Sequence, residues 1–176
     1  MSRLLTLWKN DDVRGGAVFI LLFVVTLFYD RFMDLAFGVY DWNEILDLNM
    51  SWQNMVPYWR AMWVFYFPAL LFLFSFACRS LLPILWGTVT QVFGIHDYSY
   101  FLILRLKMPA RLSYLNGTPA WQLANMLGFE ELTPSSLAVT SFIGILVGIS
   151  LSAVYLHARR RLASLIEQRL KSTTLN

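Results

Sequence analysis

The sequence is poor in charge and nearly free of cysteine. Asp, Glu, Lys and Arg make up 14% of its 176 residues, whereas they make up about 25% of an ordinary soluble domain. The single cysteine, Cys78, excludes an internal disulfide framework and a cysteine-based metal cluster. In contrast, 57% of the residues are hydrophobic and 16% are aromatic, which is the composition of a membrane protein.

The usual motifs of enzyme chemistry are also missing. The sequence has no Gly-rich phosphate loop, nucleophile elbow, HExxH or CxxC. Its two histidines, His96 and His157, fall at different predicted ends of the membrane and fit joint haem ligation poorly. The basic residues cluster at segment ends rather than in a nucleic-acid-binding patch. We therefore expect no catalytic residues, no cofactor, no metal site and no nucleic-acid partner.

The longest apolar segment, residues 137–156, contains twenty residues without a charge. As a helix it would measure about 30 Å, the thickness of the hydrocarbon core of a bilayer. Small residues recur at every fourth position along one side of this helix: Thr140, Gly144, Gly148 and Ser152. Small residues let a second helix approach closely. This ridge predicts tight packing, either within the protein's own bundle or against another chain.

Three further apolar segments complete an all-α prediction, a polytopic bundle of four membrane spans. The expected spans lie at approximately residues 16–38, 60–79, 81–95 or 81–104, and 135–157. The first has no cleavage site after it and is expected to stay in the protein, and Pro68 is expected to kink the second. The third is short, so it either crosses as a thin helix or is re-entrant, which would leave three spans.

Two segments between the spans are predicted to lie along the membrane surface, within what we expect to be a single membrane domain, residues 1–176. Residues 40–57 are acidic and rich in Trp and Tyr, as in interfacial helices. Residues 118–128 have the signals of a short helix, with Thr118 as its cap, Pro119 at its first position and Gly128 just beyond its end.

Charged residues near the span ends are the remaining candidates for a site. Asp30 and Asp34, with Arg31 between them, could bind a cation or a partner, although a solvated helix end is the simpler interpretation. His96 and Asp97 are interfacial if the third span ends before them. If the span continues past them, they form an intramembrane polar pair suited to a proton relay.

The C-terminal segment, residues 158–171, is predicted to be a cytoplasmic, basic amphipathic helix. It begins with the densest positive cluster of the chain, Arg159, Arg160 and Arg161. An apolar stripe at helical spacing follows, consisting of Leu162, Leu165, Ile166 and Leu170. Such a helix either lies on the anionic cytoplasmic leaflet or docks a soluble partner.

The distribution of basic residues selects a topology. With four spans and both termini in the cytoplasm, nine basic residues lie inside and five outside. With three spans and the C-terminal segment inside, the split is seven to seven. Because cytoplasmic loops carry an excess of Lys and Arg, the count favours four spans.

These features favour a small, non-catalytic membrane protein of the bacterial inner membrane. We expect it to be a structural or assembly subunit of a larger complex of the secretion, conjugation or energy-transducing type. Its partners would be membrane lipids and other membrane subunits or further copies of itself. One alternative is a membrane immunity, exclusion or anti-phage defence protein. Another is a proton-linked carrier or membrane enzyme that uses His96 and Asp97.

Overall fold

The computed structural model describes residues 10–36, 57–58 and 61–173, and within these ranges it is all-α. A π-helical turn, Met62–Tyr66, leads into the second helix, and a 3₁₀ turn, Ser113–Leu115, precedes the fifth. The predicted surface segment 40–57 lies almost entirely outside the described residues. The helices are α1 (Asp11–Ala36), α2 (Phe67–Cys78), α3 (Leu82–Val92), α4 (Ile95–Ile103), α5 (Pro119–Met126) and α6 (Pro134–Thr173).

Two helices, α1 and α6, are long and apolar enough to cross a membrane. In each, only 28% of the most apolar 18-residue window is buried inside the protein, whereas the core helix of a soluble protein would be mostly buried. Large apolar side chains therefore face outward on both helices, including Phe28 and Phe32 of α1 and Phe142 of α6.

Proline explains the irregular start of the second predicted span. Pro68 lies in the first turn of α2, where it has no N–H to donate and its ring crowds the carbonyl four residues earlier. The chain adopts a π-helical turn just before it, and the Phe67 N–H bonds to the Met62 carbonyl five residues back.

The third predicted span is interrupted in the structure. α3 has only 11 residues, about 16 Å of helix, and it packs against α1, α2 and α6. Gly94, with φ +68°, separates α3 from α4, and a Cβ at this glycine would lie 2.5 Å from Leu137 Cδ1. A continuous helix over residues 81–104 is therefore wrong, whereas α3 ends three residues before the end of the shorter alternative, 81–95. The four-span topology remains a prediction.

The connection between α4 and α6 folds back as a cap over one end of the bundle. Leu112, Leu115 and Leu132 are almost fully buried in a core that includes Leu137 of α6. The Leu112 N–H donates to the Leu132 carbonyl at 2.8 Å and ties the two ends of the cap together.

Within the cap, α5 begins and ends as its sequence signals predict. The Thr118 hydroxyl accepts from the Trp121 N–H at 3.3 Å, and Gly128 adopts φ +88° after the last turn. Whether residues 118–128 lie at a membrane surface remains a prediction.

The small-residue ridge of α6 packs against α3 and the turn after it. A Cβ at Gly144 would overlap Phe93, and one at Gly148 would lie 2.7 Å from the Trp86 ring. The Trp86 indole N–H donates to the Ser152 hydroxyl at 3.0 Å. The described contacts of the ridge, which also includes the fully buried Thr140, are thus with helices of the same chain.

Candidate functional site

Polar side chains gather at the two opposite ends of α1. The first group, the arginine network, consists of Asp11, Asp12, Arg14, Ser80, Tyr155 and Arg159, with Arg14 paired to Asp11. Arg159 Nη2 lies 2.9 Å from Asp11 Oδ2, and its other terminal nitrogen pairs with Asp12. Ser80 and Tyr155 donate to Asp12 Oδ1 at 2.9 and 3.2 Å. The network joins the start of α1, the α2–α3 connection and α6.

The arginine network uses one residue that the sequence assigned to a membrane or partner surface. Arg159 is half-buried by its ion pairs with α1, whereas Arg160 and Arg161 are exposed. Beyond them α6 continues without a break, and its apolar stripe is between 52% and 63% exposed: Leu162, Leu165, Ile166 and Leu170.

The second group, the histidine cluster, lies at the other end of α1, beneath the cap. It consists of Thr26, Asp30, Asp34, His96 and Tyr100. His96 is 4% exposed and Asp34 is 3% exposed. The expected solvated end for Asp30 and Asp34 is therefore wrong, because α4 covers this end of α1 and buries its carboxylates.

Each member of the histidine cluster has a partner on the facing helix. His96 Nε2 lies 3.2 Å from Thr26 Oγ1, and His96 Nδ1 lies 3.6 Å from Asp30 Oδ2. The second distance suits an ion pair but exceeds that of a hydrogen bond. The Tyr100 hydroxyl donates a hydrogen bond to the Asp34 carboxylate. The imidazole is thus held between a hydroxyl and a carboxylate of α1.

The close carboxylate neighbour of His96 is Asp30, which sequence reasoning did not pair with it. A signal was present, because Thr26, Asp30 and Asp34 recur at every fourth position, as do His96 and Tyr100. Residues four apart share one face of a helix. Two such polar faces in helices otherwise made of apolar residues would be expected to meet.

Asp97 does not pair with His96, but both residues line the same cleft of about 280 Å³. The Gln91 side chain also lines it, and Gln91 Nε2 is buried without a hydrogen-bond partner in the described part of the chain. The Trp63 ring contacts the imidazole with a centroid distance of 4.4 Å. The remaining walls of the cleft are formed by Val64, Leu115, Thr118 and Pro119.

Tyr114, on the 3₁₀ turn of the cap, lies close to the carboxyl groups of α1 and α4 in this region. Burial raises the pKa of the Tyr114 phenol well above its usual range, and the charges of Asp97, Asp34 and Asp30 raise it further. The cap therefore faces the histidine cluster with a neutral phenol at physiological pH.

A larger, mostly apolar cavity lies at the opposite end of the bundle. It measures about 650 Å³ and is lined by α2, α3 and Tyr155 of α6, with Arg79 and Ser80 at its polar side. It adjoins the arginine network through Ser80 and Tyr155.

Neither polar group is arranged as a metal centre. Among the residues that the structure describes, no group of three or more His, Cys, Asp or Glu side chains is placed to hold a metal ion. Comparisons with known proteins add no assignment, because no family model, curated protein or solved structure matches the chain.

Proposed function

We propose that the protein is a small integral membrane protein in which α1 and α6 cross the bilayer. The outward faces of these helices and of α2 support this proposal, because they expose phenylalanine and leucine side chains, and Phe76 is 86% exposed. In water such a surface would favour aggregation. In lipid it needs no cover, because acyl chains are as apolar as the side chains.

We further propose four spans, with both termini on the cytoplasmic side of a bacterial inner membrane. The arginine network supports termini on one side, because Asp11 and Asp12 at the start of α1 contact Arg159 near the end of α6. An even number of crossings returns the chain to the side where it started, whereas three crossings would not. The excess of basic residues on this side is as expected for the cytoplasm.

Within that membrane we propose a non-catalytic role, as a structural or assembly subunit of a larger complex. The observation that carries this proposal is the end of α6, which extends about 21 Å beyond Arg159. Every side chain that the structure describes from Arg160 to Leu170 is exposed, the apolar stripe included. A continuous helix directed away from the bundle exposes this stripe to water unless another protein covers it.

Site-specific photo-crosslinking in cells at native expression tests the subunit role. A photoreactive residue at Leu162 or Ile166 should give one dominant crosslink, whereas the same residue at Ser164, on the opposite face, should give none. Mass spectrometry then identifies the product as another membrane subunit or a second copy. Equal labelling from both faces, or a monodisperse protein without a stoichiometric partner in mild detergent, would contradict the proposal.

A second candidate, a proton-linked activity, is favoured by the burial of His96 against Asp30. Ionisable groups inside a membrane protein commonly mark proton pathways. In proteoliposomes with an internal pH dye, H96Q should abolish any proton flux, and H157N should preserve it. The absence of flux from the unmodified protein, or flux that survives H96Q, would remove this candidate.

A further inference from the structure

The arrangement around His96 fixes where one proton lies. Thr26 Oγ1 is 3.0 Å from the Leu22 carbonyl and 2.9 Å from the Phe23 carbonyl. Its single hydroxyl proton serves these backbone oxygens, which leaves Oγ1 to accept a hydrogen bond from His96 Nε2 at 3.2 Å in the tautomer that carries its proton on Nε2. His96 Nδ1 then faces Asp30 Oδ2 across 3.6 Å.

A bare Nδ1 cannot face an ionised carboxylate at this distance without repulsion between a lone pair and a negative charge. Either the imidazole carries the second proton and forms an ion pair with Asp30, or Asp30 carries it as a neutral acid. In both cases the pair holds one proton in addition to the proton on Nε2. Asp30 Oδ1 has no hydrogen-bond partner of good geometry within the described part of the chain, and the Trp63 indole is the neutral donor beside this carboxyl.

We propose that Asp30 and His96 form a buried proton-binding site that exchanges its proton with water through the cleft beside Asp97. His96 and Asp97 both line this cleft, and its volume of about 280 Å³ has room for several water molecules. Release passes the shared proton to a water molecule in the cleft and leaves one uncompensated negative charge on the pair. Uptake from hydronium reverses this step.

The surroundings of the pair determine how strongly it holds the proton. The charged and titratable groups that face it are the carboxyls of Asp34 on α1 and Asp97 on α4, and the phenols of Tyr29 on α1, Tyr100 on α4 and Tyr114 on the cap. Two of these five groups are carboxyls, so losing the proton would add a negative charge beside them in a low-dielectric region. Binding of one proton is therefore favoured over release until an external change opens the cleft or separates α1 from α4.

Nitrogen NMR of the full-length protein in lipid nanodiscs tests the site. With histidine labelled by ¹⁵N and His157 replaced by Asn, only the His96 ring is observed. We expect Nε2 to be protonated, and Nδ1 to be either protonated beside an ionised Asp30 or unprotonated beside a neutral Asp30; the ¹³C shift of the Asp30 carboxyl distinguishes the two forms. D30N should change the Nδ1 signal in the first form, and D97N should leave both the Nδ1 signal and the Asp30 carboxyl signal in place in either form.

The NMR experiment tests the Asp30–His96 proton site separately from the proposed proton-linked activity, on which the functional importance of the site rests. The measurement locates a proton and requires no flux, so a site with the expected spectra and no transport removes only the activity. An unprotonated Nδ1 facing an ionised Asp30 in the unmodified protein, or an Nδ1 signal that responds to D97N and not to D30N, removes the site. If D30N fails to fold, D30E keeps the carboxylate and should retain the shared proton; its loss there would also overturn the proposal.

Discussion

The two ends of α1 hold similar chemistry in opposite surroundings. At the arginine network the carboxylates of Asp11 and Asp12 meet the guanidinium of Arg159, and Asp11 also pairs with Arg14; both guanidinium groups stay about one-third exposed. At the histidine cluster two carboxylates meet an imidazole and a phenol that are almost fully buried. Exposed ion pairs gain little because water screens them, whereas buried polar groups lose much if one partner is removed. We therefore expect substitutions at the arginine network to lower the free energy of unfolding only a little, and substitutions at the histidine cluster to lower it much more.

The largest effect is expected from breaking the buried pair. Asp30→Ala leaves His96 Nδ1 without its carboxylate, and removing one partner of a buried pair costs about 3–5 kcal/mol. Chemical unfolding in detergent micelles should measure this loss in the free energy of unfolding.

A double-mutant cycle sharpens the same test. Because H96Q removes the other partner, the double variant should lose much less than the sum of the two single variants. Additive losses would show that the two side chains are energetically independent, which would refute the pairing.

The next largest effect is expected where α3 packs against α6, between the arginine network and the histidine cluster. Gly148→Leu forces a side chain into the Trp86 ring, and overpacking of this kind costs up to about 3 kcal/mol. Phe142→Leu, on the outward face of the same helix, should change the unfolding free energy by much less. Similar losses from both substitutions would mean that α3 and α6 do not pack as described.

A smaller effect is expected from the hydroxyl that supports His96. Thr26→Val keeps the shape but removes the acceptor for the Nε2 proton, which costs about 1–2 kcal/mol when a buried donor is left unsatisfied. Thr26→Ser retains the hydroxyl and should preserve the Nε2 proton signal in the nitrogen spectrum. If the valine variant keeps that signal unchanged as well, Thr26 is not the partner of His96.

The smallest effect is expected at the arginine network. Arg159→Ala should cost about 1 kcal/mol or less, because its ion pairs with α1 are open to solvent. Half-molar salt should shrink the difference from the unmodified protein further. A loss as large as that of Asp30→Ala, independent of salt, would show that the two ends do not differ as described.

Features set by local chemistry could be predicted from the sequence. The Thr118 cap of α5 depends on residues within a few positions of each other. At the start of α6 the Thr133 hydroxyl likewise accepts from the Ser136 N–H, three residues later. The ridge of α6 depends on a four-residue spacing, although the spacing did not reveal that α3 is the helix packed against it. Local signals identify a helix and its faces, but the choice of neighbour is a tertiary property.

The histidine cluster shows why the rest was missed. His96 and Asp30 are far apart in the sequence, and adjacency suggested Asp97 as the partner instead. Gly94 was also decisive, because a residue in the left-handed region ended the third helix and began a new one just before His96. After that turn α4 presents the His96 imidazole to α1, and the pattern of hydrophobic residues does not predict the orientation of α4.

One consequence follows from the length of α6. The helix α6 is continuous from Leu137, which packs against Gly94 near the histidine cluster, to the exposed apolar stripe about 40 Å away. Because no turn interrupts α6 between these two places, a protein bound at the stripe contacts the same helix that packs against Gly94.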